Sequence, residues 1–128
     1  MLGGLENGAS GEEATISSGF GNLASAPSSS VSGGDDNQAT GSSSSVGGGQ
    51  FNNASGSSAA IAGGDENTAS GGFASILGGF FNSATAFDAT VSGGQSNTSS
   101  GQKASILGGD SNTASSNCEA IPSAPGSC

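Results

Sequence analysis

Every fifteenth residue from Ile16 onward is aliphatic. Ile16, Val31, Val46, Ile61, Ile76, Val91, Ile106 and Ile121 stand in one register without insertion or deletion. A second register, nine residues before the first, holds Asn7, Asn22, Asn37, Asn52, Asn67, Asn82, Asn97 and Asn112. A chain that keeps such a period builds one small unit repeatedly, and each unit buries its apolar side only by stacking on its copies. The period decides against the reading that composition invites. Gly accounts for 25 of 128 residues and Ser is abundant, which alone would describe a flexible linker. A linker has no reason to hold an aliphatic residue in phase along its whole length.

The cleanest copy, Ile61 to Ser75, reads I-A-G-G-D-E-N-T-A-S-G-G-F-A-S. It divides into two similar halves, each an alternation of small or apolar residues followed by a glycine turn. Alternation is the strand signal and glycine-bounded ends are the turn signal. The pattern therefore predicts an all-β fold: a parallel β-roll or β-solenoid of about eight fifteen-residue coils, two short strands per coil. The roll is expected over residues 1–121, with a C-terminal tail at 122–128. Alternation places Asn67, Ala69, Ala74 and Ile76 inside, and Thr68, Ser70, Ser75 and Leu77 outside. The variable pairs fall at the turns, Asp65-Glu66 on one edge and Gly72-Phe73 on the other.

Inward parity and presence in every coil give the asparagines a structural role, as a corner ladder whose amides bond one another and the turn backbone. The apolar core is thin, with one Val or Ile and two small residues per coil. A lone coil cannot stand. Something must complete the core: more repeats, a terminal disulfide, or burial of an outward face against another copy.

The net charge is −9, from ten carboxylates and the single base Lys103. Such a polyanion repels nucleic acid and anionic lipid, so neither is expected as a partner. No apolar run approaches the roughly eighteen residues of a membrane span, and no basic segment precedes an apolar one as in a secretion signal. Met1 falls in the aliphatic register, so the chain starts in mid-repeat and reads as a mature or excised segment of a longer precursor. Cys118 and Cys128 lie where the repeat fades. Their spacing would close a small loop, and a disulfide is expected over two free thiols, in keeping with a secreted or cell-surface protein.

Catalysis is not expected. There is no histidine, no second basic residue and no charged constellation around a serine, so general acid–base chemistry lacks its partner, and no cofactor is implied. The acidic pairs Asp35-Asp36 and Asp65-Glu66 follow Gly-Gly turns, where calcium finds oxygen ligands, but the Asp spacing of calcium-binding nonapeptide rolls is absent. They read as a solvated edge that discourages aggregation, and no metal site is assigned. Phe20, Phe51, Phe80 and Phe81 fall on one turn edge, and Phe73 and Phe87 on the other. Phe73, Phe80, Phe81 and Phe87 are candidate contact residues; the alternative is that the rings fold back over the core. The candidate binding face is a hydroxyl ladder: Thr68/Ser70, Ser83/Thr85, Thr98/Ser100 and Thr113/Ser115 form adjacent rungs without charge. The earlier rungs, Gly8/Ser10, Leu23/Ser25 and Gln38/Thr40, are irregular.

The motif A-S-G-x-x-A-S-V-S-G-G, running from about Gly3 to Ile121, resembles the head repeats of trimeric autotransporter adhesins. That resemblance implies a left-handed parallel β-roll that trimerises and adheres to host or matrix surfaces. The half-repeat pattern N-x-A-x-G followed by A-x-V-x-G-G is also similar to the ryegrass type of antifreeze protein, which implies a free-standing roll that binds ice. Here Ala replaces much of that family's Val, and one of its two Asn ladders is missing. The leading expectation is a non-catalytic extracellular structural or adhesive protein, a surface fibre or adhesin head. The alternative is an ice-binding protein using the flat Ser/Thr ladder. Expected partners are further copies of the chain, as a homotrimer or filament, or an extended surface such as a cell, a matrix or ice.

Overall fold

A computed structural model describes residues 3–121. Each fifteen-residue repeat closes into one coil holding two strands of two residues, from Gly8–Ala9 and Thr15–Ile16 in the first described coil to Thr113–Ala114 and Ala120–Ile121 in the last. The strands centred on the Ala69 register form one eight-stranded parallel sheet, and those centred on the Ile76 register form the other. Pairing is in register throughout: Thr68 opposes Ser83 and Ile76 opposes Val91, each one repeat apart. The sequence period is thus the rung of a β-solenoid, as the alternation predicted.

The sheets pack back to back. Ala69, Ala74 and Ile76 are buried between them, while Ser70 and Leu77 are exposed. Thr68 and Ser75 point outward but are half-buried, because rungs about 4.8 Å above and below shield their flanks. A third ladder, which the two-strand reading did not foresee, runs along one turn: Leu5, Phe20, Asp35, Gln50, Asp65, Phe80, Gln95 and Asp110 form successive parallel bridges.

The asparagine ladder supplies much of what the aliphatic series lacks. Asn22 through Asn97 are buried in every coil. The Asn67 backbone N–H donates to Asn52 Oδ1 at 3.0 Å, and Asn67 Oδ1 accepts the Asn82 backbone N–H at 2.9 Å. Asn67 Nδ2 lies 3.1 Å from Asn52 Oδ1, 3.2 Å from the Gly63 carbonyl and 2.9 Å from the Gly79 carbonyl. A buried amide with every polar atom engaged fills volume without leaving an unmet hydrogen bond.

The turns differ from the expectation of simple glycine turns. Gly64 is left-handed at φ +96°, and a Cβ there would lie 2.3 Å from the Gly79 carbonyl oxygen, so this position admits no side chain. The two other left-handed positions in the same coil hold Glu66 at φ 54° and Phe73 at φ 58°. Left-handed backbone costs a non-glycine residue roughly 1–2 kcal/mol. Its recurrence here has a clear return. The Phe73 N–H donates to the Ser57 carbonyl of the preceding coil at 2.8 Å, whereas the strand residue Thr68 donates to Asn82 of the following coil at 2.9 Å. Reversing the peptide at these corners lets inter-coil bonds run in both directions along the rod.

Cys118 is exposed on the last described coil. The proposed Cys118–Cys128 link and the tail at 122–128 fall outside the described residues.

Candidate functional site

The alternation that buries Ala69 turns Thr68 and Ser70 outward, and in-register pairing copies them into columns. Thr68, Ser83, Thr98 and Thr113 form one column, with backbone partners at every step. Ser70, Thr85, Ser100 and Ser115 form the second, all exposed. Hydroxyls on this face are spaced about 4.8 Å along the rod and about 7 Å across it. The eight residues selected from the sequence therefore lie together on one face. The second column extends further than that selection: Ser10, Ser25, Thr40 and Ser55 occupy the same register, so it carries a hydroxyl in all eight coils. The irregularity of the earlier rungs lies in the first column alone. The first column breaks up toward the N-terminal coils, where Gly8, Leu23, Gln38 and Asn53 stand.

The opposite sheet presents a different flat face. Ser30, Ser45, Ala60 and Ser75 form one column beside Ser32, Gly47, Ala62 and Leu77, and the small residues leave a shallow trough between Ser32 and Leu77. Leu77 and Leu107 stand proud of this face, 63% and 64% exposed.

Charge is absent from both flat faces. Glu6, Asp35, Asp36, Asp65, Glu66 and Asp110 line one edge, and Glu12, Glu13, Asp88, Lys103 and Glu119 lie at or beside the other. Among the described residues, no three His, Cys, Asp or Glu side chains converge as a metal-binding group. Asp35 Oδ1 and Asp65 Oδ1 are buried without a hydrogen-bond partner, and Gln50 Nε2 donates weakly to Asp35 Oδ2 at 3.4 Å. Two buried serine hydroxyls serve the backbone, Ser99 Oγ donating to the Ala104 carbonyl at 2.9 Å and Ser29 Oγ to the Ala26 carbonyl at 2.7 Å, while Ser44 Oγ is buried without a partner.

The candidate aromatics stand outside the core. Phe73, Phe80, Phe81 and Phe87 are 55%, 38%, 54% and 49% exposed. They meet in edge-to-face pairs at the corners, Phe73 with Phe87 at 5.5 Å and Phe80 with Phe81 at 5.0 Å between centroids. Such pairing recovers part of the cost of exposing a ring. The interior has no room for them, being filled by Asn, Ala and Val or Ile. No helix among the described residues is long and apolar enough to cross a membrane.

No protein-family model matches the chain, and comparison with curated proteins gives no match.

Proposed function

We propose that the chain is a non-catalytic β-solenoid rod of an extracellular or cell-surface assembly, working as a structural or adhesive module. The observation that carries this reading is the partition of its surface. All charge and every Phe lie on the two edges, leaving two flat, uncharged faces along the rod. Ser, Ala and Gly lose little side-chain entropy when such a face is covered. Acidic edges repel one another and discourage disordered aggregation, so contact is channelled to the faces. The trough face with Leu77 and Leu107 suits packing against another copy, which leaves the hydroxyl face for an extended surface.

Sedimentation across a wide concentration range tests the self-association. The expected result is a discrete oligomer or filament that dissociates when Leu77→Asp and Leu107→Asp are introduced together. A wild-type chain that stays monomeric at high concentration would remove the packing role of that face.

A second reading is favoured by one specific feature, the unbroken hydroxyl column from Ser10 to Ser115. Regular hydroxyls on a rigid plane are what ice recognition requires, and the Thr residues of the neighbouring column add fixed methyl groups. A thermal-hysteresis assay separates the two. Ice-growth inhibition that disappears in Thr98→Lys would select ice binding, and no effect on ice at high concentration would eliminate it.

A further inference from the structure

The acidic edge carries more than charge. Phe51, Glu66 and Phe81 occupy the same position in three successive coils, all left-handed, with φ of 53°, 54° and 57°. Equal backbone geometry sends their Cα–Cβ bonds in the same direction. Each is pinned by its own N–H, donated to Asp35, Gln50 and Asp65 carbonyls respectively at 2.9–3.0 Å. The result is a cleft of about 430 Å³ lined by Phe51, Glu66, Thr68 and Phe81. A ring stands on either side, a carboxylate lies between them, and a hydroxyl sits toward the strand.

The dimensions suit one class of ligand. Two rungs of about 4.8 Å separate Phe51 from Phe81, with Glu66 on the rung between, so a cation seated on the Glu66 carboxylate is flanked by an aromatic side chain on each side, as a cation–π contact requires. Phe80 packs edge-on against Phe81 and steadies that wall. Both rings are about half exposed, 50% and 54%, so neither is buried in the fold. Glu66 supplies the countercharge, and Asp65 beside it and Asp36 one rung beyond Phe51 add to the negative potential. Lys103, the one basic side chain, belongs to the opposite edge, in the register of Phe73 and Asp88, and cannot fill the cleft itself.

We propose that this cleft binds an alkylammonium group, whether the tip of a lysine side chain on a partner or the head of a small quaternary amine. Aromatic walls reward a cation with an apolar skin over a hydrated sodium ion, and the carboxylate rejects anions and gives nothing to a neutral isostere. The site does not rest on the fibre or ice readings: it lies on an edge and shares only Thr68 with the hydroxyl face.

The test is a titration followed by the Phe ring resonances in NMR. Choline and a blocked lysine are added separately, with the neutral carbon isostere of choline and sodium chloride as controls. Saturable shifts are expected at Phe51 and Phe81 but not at Phe73 and Phe87. Phe51→Asn and Phe81→Asn each should weaken binding about two- to fivefold, the range of an exposed cation–π contact. Asn is chosen because it tolerates left-handed backbone, and an unchanged amide spectrum checks the fold. Glu66→Gln should weaken binding at least as much. Saturation by choline alone assigns the site to a small amine, and saturation by lysine alone assigns it to a protein partner. The proposal is overturned if neither probe saturates, if the neutral isostere or sodium binds equally well, or if the Phe51→Asn/Phe81→Asn double variant binds like wild type.

Discussion

At the scale of single residues, Asn67 concentrates more interactions than any other side chain in its coil. Truncation to alanine would strip the buried Asn82 N–H of its acceptor and the half-buried Gly63 carbonyl of a donor, and would leave the Gly79 carbonyl only its bond from the Asp65 N–H. Each unmet buried group costs about 1–3 kcal/mol. Asn67→Ala is therefore expected to lower stability by roughly 3 kcal/mol or more, read as a shift in urea midpoint. Asn7→Ala, at a half-buried end of the ladder, should cost clearly less. The asparagines were legible in the sequence because a polar residue held at inward parity must find its partners inside. The left-handed Glu66 and Phe73 were not. Local propensity asks for Gly or Asn there, and only the bond to the preceding coil explains what stands in their place. Ser58, left-handed at φ 56°, offers a matching test. Ser58→Asn should raise the midpoint slightly, by a few tenths of a kcal/mol, since Asn is the better left-handed residue and leaves the Ser58 N–H bond to Ser42 in place. A loss of stability would show that the serine side chain, rather than its backbone, matters at that corner.

At the scale of the element, a sheet built from identical rungs turns one substitution into a column. Ser70, Thr85 and Ser100 are exposed and follow one another at successive coils. A glutamate at any one of them should change stability by no more than about 0.5 kcal/mol, as for other surface sites. All three together place like charges about 4.8 Å apart in a line, and neighbours on a sheet couple. The triple variant should lose more than the sum of the singles, with the excess shrinking at high salt. Thermal melts of the four proteins at two ionic strengths check this; strict additivity would mean that the columns are too mobile to couple. The faces were legible because alternation fixes parity, and Thr68, Ala69 and Ser70 went where it sent them. The ladder through Asp65 and Phe80 was not legible, because its single-residue bridges carry no alternation to read. Corner direction was likewise open for the phenylalanines. Parity is silent at a turn, and it took the left-handed backbone and the filled interior to put Phe73 and Phe81 outside. The cleft beside Glu66 follows from the same corner geometry, which is why residue order alone did not reveal it.

At the scale of the whole molecule, each coil touches its immediate neighbours, so stability is set by coils and the contacts between them. The period should then be removable only in whole units. Deleting residues 61–75 joins Ala60 to Ile76, which occupy consecutive positions of the same frame, as the pairing of Ser75 with Ala60 and Ile76 with Ile61 requires. The shortened rod should keep its β-sheet circular dichroism and its cooperative melt, with a modestly lower midpoint because one internal coil is gone. Deleting residues 61–74 removes one residue fewer and joins Ala60 to Ser75. From that junction onward every strand slips by one position, which turns Ile76, Val91 and Ile106 toward solvent and breaks the line from Asn52 to Asn82. That variant is expected to lose cooperative folding beyond the junction, seen as a drop in β signal and rapid proteolysis of the C-terminal half. Equal stability of the two deletions would mean that the coils tolerate slippage. The ladder argues otherwise, because an asparagine one step out of register meets neither the Oδ1 of the coil before it nor the glycine carbonyls that take its amide protons.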